Sequence, residues 1–205
     1  MLLEIEVIII QRMLRSFPLK RIAIDIDEVL CPFLHPMAKR YDRMPPNHNH
    51  PYDYTKALGI TSEESKMMVS SFYHTKTFHD LKPIEESQNY IRRLRKNGYM
   101  LYAMTGRQSE ARSGTEWWLD NQFPHMFHDL IITNSYTDYE ISKSFLCMSL
   151  NISVIVDDNF QTCIDCKDHG VEAINYVGDP MYNWCVDSTM AARNWEDVYK
   201  KITFS

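Results

Sequence analysis

The stretch Ile22-Ala23-Ile24-Asp25-Ile26-Asp27-Glu28-Val29-Leu30 is an apolar run that breaks off in acids. Side chains alternate along a strand, so Asp25 and Asp27 leave on one side, about 7 Å apart along the backbone. An acidic pair at the carboxyl end of a buried strand is costly unless a cation or a hydrogen-bond donor meets it. Two later runs end in a similar way. Tyr99 to Met104 leads into Thr105-Gly106-Arg107, and Ser153-Val154-Ile155-Val156 leads into Asp157-Asp158.

Between these runs the pattern is helical. Ile84, Ile91 and Leu94 share a helix face that Asn97-Gly98 stops, with Gly98 as the left-handed residue. Ser113-Gly114-Thr115-Glu116 is expected to cap a helix through Trp117, Trp118 and Leu119, whose tryptophans serve as core or interface anchors. A strand over Leu130 to Thr133 precedes a helix that begins near Ile141-Ser142-Lys143. A helix from Phe160 to His169, a stop at Gly170 and a strand from Val171 to Tyr176 follow, and Asn194-Trp195-Glu196-Asp197 opens a last helix with a reciprocal cap. Strands alternating with helices of this length imply parallel pairing through right-handed crossovers. The expected fold is α/β: an open, doubly wound, mainly parallel sheet of Rossmann-like kind.

From Cys31 to Asp80 the strand pattern lapses into a stretch rich in Pro, His, Asn and Tyr, which reads as a helical insertion after the first strand. Thr61-Ser62-Glu63-Glu64 is a capping box ahead of Met67, Met68, Val69 and Phe72, so a helix is expected from Ser65 to Tyr73. Another short helix follows Pro36. Met44 to Pro51 holds three prolines and reads as loop, with His48 and His50 as solvated side chains. The division is therefore residues 19–30 with 81–205 as the core, 31–80 as the insertion, and 1–18 as an N-terminal extension. That extension fits either a strand or a helix using Leu3, Val7, Ile10 and Leu14 as one face.

Composition narrows the function. At 205 residues, 44% apolar and 24% charged, the chain suits one sizeable core. The net charge of -5 provides no basic footprint, which argues against a stable nucleic-acid partner but leaves room for a small phosphorylated ligand at a local cationic site. Leu2 to Ile10 is broken by Glu4 and Glu6 and reads as neither signal peptide nor membrane anchor. Five scattered cysteines do not form a disulfide framework, and they suggest a reducing, cytoplasmic setting. Cys163 and Cys166 with His169 lack the second pair that a zinc ribbon needs and read as buried helix thiols. The lone sequon at Asn151 carries no weight. A homodimer stays open.

In open α/β sheets ligands bind beyond the carboxyl ends of the strands. Asp25, Asp27, Thr105, Asp157 and Asp158 all fall at such ends, and Lys143 starts a helix leading into the last of those strands. Two acids, a hydroxyl, a lysine and two more acids describe a magnesium-assisted phosphoryl-transfer site. Asp25, Asp157 and the Asp27 backbone supply the oxygen ligands that Mg²⁺ prefers.

The order of these groups resembles the haloacid dehalogenase-like hydrolase superfamily over nearly the whole chain from Ile22. Asp25-Ile26-Asp27-Glu28-Val29-Leu30 is similar to its first motif, Met104-Thr105-Gly106-Arg107 to its second, Lys143 to its third and Val156-Asp157-Asp158-Asn159 to its fourth. The insertion lies where members carry a helical cap. Phe78-His79-Asp80-Leu81-Lys82-Pro83, Trp118-Leu119 with Phe123-Pro124, Tyr182-Asn183-Trp184 and Asn194-Trp195 resemble the 5′(3′)-deoxyribonucleotidase branch.

This resemblance implies that Asp25 attacks phosphorus to form an aspartyl-phosphate and that Asp27 serves as general acid and base. It further implies that Thr105, the Gly106 amide and Lys143 hold the phosphate. Mg²⁺ would be held by Asp25, Asp27 and Asp157, with Asp158 supporting or the two exchanged; Arg107 would face phosphate or pair with a nearby acid. The expected activity is hydrolysis of a small phosphorylated metabolite, with a nucleoside monophosphate first and a sugar phosphate next. Base contacts are sought at Phe33, Tyr52 or Phe72. Glu28 departs from the pattern, since many members have glycine there. A response-regulator-like phosphoacceptor domain uses similar groups but places its acidic pair first and its lysine late, and a non-catalytic binding protein would not keep every site group.

Overall fold

The computed structural model describes residues 20–43, 51–178 and 180–204, so the N-terminal extension and the His48/His50 loop lie outside the described residues. The strands are β1 (Arg21–Ile24), β2 (Met100–Thr105), β3 (Asp129–Ile132), β4 (Val154–Asp157), β5 (Glu172–Tyr176) and β6 (Ala191–Ala192). They form one sheet in the order β3-β2-β1-β4-β5-β6, and every pairing is parallel. The helices α1 (Leu34–Arg40), α2 (Tyr54–Leu58), α3 (Ser62–Tyr73) and α4 (Lys76–His79) lie between β1 and β2, followed by α5 (Ser87–Lys96). Then come α6 (Arg112–Gln122), α7 (Lys143–Ser149), α8 (Phe160–Asp168) and α9 (Trp195–Thr203).

Period-two alternation divides the core between the two faces of the sheet. Ile22, Ile24, Leu101, Ala103, Val154, Val156 and Ile174 join one apolar cluster with Ile91 of α5, Trp118 of α6 and Trp195 of α9. Ala23, Tyr102, Met104, Ile155 and Ala173 face the other way, against Cys147 of α7 and Cys163 and Cys166 of α8. The chain thus crosses from one face to the other on either side of β1 and β4, which puts the switch point between these two strands. The larger cluster also takes in Phe33, Met37, Ala57, Phe72 and Phe78 from the segment between β1 and α5, so that segment packs on the same core. All five cysteines are buried and unpaired, and no described helix is long and apolar enough to cross a membrane.

Local chemistry accounts for most boundaries. Thr61 and Glu64 form the expected reciprocal box at the start of α3, from which the helix runs Ser62–Tyr73. Ser142 caps α7 and Asn159 caps α8 through their side chains, and Gly98 and Gly170 take positive φ past helix ends. Three expectations need correction. Ile84 lies ahead of α5, which starts at Ser87 behind the left-handed Glu86. Helix α6 starts at Arg112, before Ser113, because Thr115 turns inward and donates its hydroxyl to the Ala111 carbonyl (2.8 Å) instead of capping. At α9 Asn194 accepts from the Asp197 amide as expected, but Asp197 reaches back to the Arg193 amide, one residue earlier than a reciprocal box requires. The two-residue strand β6 carries no readable pattern.

The turn after β1 is tight. The Ile26 carbonyl accepts from the amides of Val29 (3.3 Å), Leu30 (2.8 Å) and Cys31 (3.0 Å), while Glu28 adopts a left-handed φ of 60°. Such a backbone costs a non-glycine residue about 1 kcal/mol or more unless its surroundings enforce it. Here they do: Glu28 Oε1 accepts from the amides of Phe33 and Leu34, both at 2.9 Å, and so caps α1 from across the turn. Tyr182 Oη donates to the Glu28 carbonyl (2.9 Å) and Trp195 Nε1 to that of Val29 (3.1 Å).

Tyr182 depends in turn on Gly178, which has a φ of 74° and lies where an added Cβ would come within 2.8 Å of the Tyr182 ring. Gly178→Ala should therefore lower stability by about 1–3 kcal/mol in denaturant unfolding, through both backbone strain and displacement of Tyr182.

Candidate active site

Strand β1 hands over to Asp25, whose amide continues the ladder to the Val156 carbonyl (2.9 Å). Asp25 is buried, and its Oδ1 accepts from the Ile26 amide (2.8 Å). Next to it, β4 ends in Asp157 with Asp158 following, both buried. Lys143, the first residue of α7, reaches in between: Nζ lies 3.0 Å from Asp25 Oδ1 and 2.6 Å from Asp157 Oδ2. One carboxylate oxygen from each of Asp25, Asp157 and Asp158 lies within 4.8 Å of the others.

These charges do not balance. Three buried acids meet one ammonium. Burial, opposed by Lys143 and reinforced by Asp157 and Asp27, pushes the Asp25 carboxyl up to about 7. Burial and then the Asp157 and Asp25 charges push Asp158 well above the carboxylate range. Burial works against the Lys143 ammonium, but Asp157 and Asp25 outweigh it and hold its pKa above that of an ordinary lysine. A cluster of hard oxygen donors short of positive charge suits Mg²⁺ or Ca²⁺. Within it the acids are engaged differently. Asp157 has one oxygen on Lys143 and the other on the Asn159 amide (2.9 Å), whereas Asp158 Oδ2 accepts from Trp184 Nε1 (3.1 Å).

Thr105 closes β2 and is fully buried; its Oγ1 accepts from the Arg107 amide (3.3 Å). Gly106 backs onto Ser135, whose Oγ would be 3.1 Å from an added Cβ, so the backbone there approaches its neighbour more closely than a side chain comfortably allows. Arg107 takes the second of its two expected roles and pairs with an acid. Nε and Nη2 grip Asp27 Oδ2 and Oδ1 at 3.1 and 2.6 Å, and Nη1 donates to Thr115 Oγ1 (2.9 Å). Its guanidinium lies against the rings of Phe33 and Phe78, 5.6 and 4.8 Å from their centroids. The Asp27 carboxylate therefore stands apart from the acid cluster, turned toward Arg107.

The three aromatic residues expected to contact a base divide. Phe33 and Phe72 pack edge-on at 5.3 Å inside the core and present no surface for a base. Tyr52 stays beside the cluster: burial and then Asp158, Asp157 and Asp25 push its phenol well above the ordinary value. Trp118 is buried, with Nε1 donating to the Leu81 carbonyl (2.7 Å), while Trp117 is half exposed. Asn175 was not legible as a site residue. From β5 its Nδ2 donates to the carbonyls of Asp157 (3.0 Å) and Asp158 (2.9 Å) and fixes the turn that carries both acids. A lone Asn within an apolar strand run was its only signal.

A family model described as 5′ nucleotidase, deoxy (Pyrimidine), cytosolic type C protein matches residues 19–204. Comparison with curated proteins gave no match. Among solved structures, a predicted phosphatase of Clostridium acetobutylicum is similar at 12% identity and a TM-score of 0.66, over 92% of this chain and 100% of that one. A haloacid dehalogenase-like hydrolase of Streptococcus pneumoniae is similar at 14% identity and a TM-score of 0.62, over 90% and 99%. The HAD-hydrolase YfnB of Bacillus subtilis, bound to magnesium, is similar at 12% identity and a TM-score of 0.58, over 91% and 100%. At these identities the likeness is one of fold.

The raised Asp25 pKa has a pH signature. Because the folded value of about 7 exceeds the ordinary 3.8, the folded state holds the proton more tightly, and stability falls as pH rises between the two. Thermal unfolding of metal-free protein should show Tm falling from pH 5 to pH 7.5. Asp25→Asn should make that slope shallower without abolishing it, because burial raises Glu28 and Asp158 as well, and added Mg²⁺ should restore Tm at the upper end.

Proposed function

The chain belongs to the cytosolic type C family of deoxy (pyrimidine) 5′-nucleotidases, within the haloacid dehalogenase-like phosphatases, and we propose that it is a Mg²⁺-dependent phosphomonoesterase for a nucleoside monophosphate. The observation that carries this reading is Lys143 clamped between Asp25 and Asp157 at the switch point, with Asp158 beside them. Asp25, Asp158 and Asp157 are the carboxylates that would hold the ion, together with the Asp27 backbone; Asp157 also anchors Lys143. When bound, Mg²⁺ screens the charge of Asp25 from the phosphate it attacks.

The chain's own groups divide the remaining work. The free Asp25 oxygen attacks phosphorus in line, an acyl-phosphate bond forms and the ester P–O bond breaks. Asp27 delivers a proton to the leaving oxygen and then takes one from the water that cleaves the acyl-phosphate, releasing inorganic phosphate and restoring Asp25. Delivery requires one Arg107–Asp27 bond to open. Lys143, Thr105 Oγ1 and the Gly106 amide offset and hold the phosphoryl charge. Residues 31–43 and 51–80 act as a cap beside this centre, and Tyr52 from that segment and Trp184 form an aromatic edge beside the acids that suits a planar base (ring centroids 6.1 Å apart). Five reduced cysteines fit operation in the cytoplasm.

Hydrolysis of p-nitrophenyl phosphate should require Mg²⁺ and vanish in Asp25→Asn; turnover by that variant would refute the nucleophile. Asp27→Asn should slow alkyl phosphates by about 10²-fold or more and aryl phosphates less, since only a poor leaving group needs the proton. A panel of deoxyribonucleotides, ribonucleotides and sugar phosphates should favour the nucleotides.

A further inference from the structure

Trp184 lies on the segment between β5 and β6, and among its contacts are a ring stack, a T-shaped ring contact and a hydrogen bond to a buried acid. Its face stacks on Tyr182, with ring centroids 4.7 Å apart and planes at 19°. It also meets the Tyr52 ring in a T-shaped contact, at 6.1 Å and 66°, in the segment between β1 and α5. Its Nε1, which can only donate, points at Asp158 Oδ2 (3.1 Å). Tyr182 in turn donates to the Glu28 carbonyl, and the Glu28 carboxylate caps α1. A single indole therefore joins an acid of the cluster to the cap segment by two routes, one through Tyr52 and one through Tyr182 and Glu28.

Packing alone would explain the stack on Tyr182, but not why the donor faces a buried carboxylate. Asp157 needs no such help, because Lys143 and the Asn159 amide hold both of its oxygens. Asp158 has no lysine. A carboxylate that must present one oxygen to an ion is oriented by a donor on the other, and losing such a donor typically costs about 10–100-fold in metal affinity.

We propose that Trp184 is a positioning residue that orients Asp158 for a divalent cation through its indole N–H and transmits ion binding to the cap segment through its contact with Tyr52. The inference rests on the reading of Asp25, Asp157 and Asp158 as a cation site. Trp184→Phe keeps a ring against Tyr182 and Tyr52 but removes the donor, whereas Trp184→Leu removes both.

The test is calorimetric titration of the metal-stripped full chain with Mn²⁺, without any phosphate ester. Hydrogen exchange of residues 51–58 is followed with and without saturating Mn²⁺. Wild type should bind and gain protection in that segment. Trp184→Phe should bind about 10-fold more weakly yet gain the same protection at saturation, and Trp184→Leu should bind weakly and gain none. Wild-type affinity in Trp184→Phe would overturn the positioning role while leaving the cation site intact, and full protection in Trp184→Leu would overturn the coupling. Absence of Mn²⁺ binding in wild type, or unchanged binding in Asp158→Asn, would overturn the cation-site reading and this inference with it. A merely structural tryptophan would lower Tm in both variants without moving the Mn²⁺ affinity.

Discussion

The Lys143 ammonium, held between Asp25 and Asp157, is the interaction on which the rest of the site depends. It exists because β1 and β4 are parallel neighbours, which brings their carboxyl ends side by side, and because α7 begins at that same edge. A buried ion pair of this kind adds little net stability, since desolvation offsets most of the attraction. One lysine among three acids leaves the cluster short of positive charge, which is poor design for a structural core. It is suitable design for a centre that recruits a cation and then receives an anion. Burial first, and then the charges of the neighbouring acids, raise the Asp25 and Asp158 pKa values.

A second tier of contacts keeps the acids in place. The turn after Asp25 is fastened by donors from far along the chain: Tyr182 to the Glu28 carbonyl, Trp195 to that of Val29, and the Ile84 amide to that of Leu30 (2.7 Å). Asn175 does the same for Asp157 and Asp158. Glu28 is the telling case. Glycine would adopt its left-handed backbone at no steric cost, but glycine could not cap α1. The glutamate accepts strain at the turn and in return ties the loop carrying Asp25 and Asp27 to α1. The aromatic tail, with Tyr182, Trp184 and Trp195, therefore serves the site as well as the core.

Much of this was legible in the sequence because it is written locally. Apolar runs ending in Asp25, Thr105 and Asp157 located the strand ends. Thr61 with Glu64 announced their helix reciprocally, and the doubly wound parallel sheet followed from the alternation. Each depends on residues a few positions apart, where backbone hydrogen bonding and side-chain period leave little choice. Asp25, Asp157 and Lys143 could be placed together for the same reason, since strand ends in such a sheet share one edge.

What only the tertiary structure decided is which groups meet across that edge. Arg107 and Asp27 are 80 residues apart, and nothing local told whether the guanidinium would face phosphate or an acid. Thr115 looked like a cap and became an Arg107 partner; Phe33 and Phe72 looked like base contacts and became core. Trp184 and Asp158 are separated by a strand and a helix, and Asn175 by one crossover. Sequence determined most of the elements and the chemical types at their ends, because propensity and period act over short range. The pairing of those types was left to packing, because side-chain rotamers in a close-packed interior are set by neighbours that the chain delivers from elsewhere.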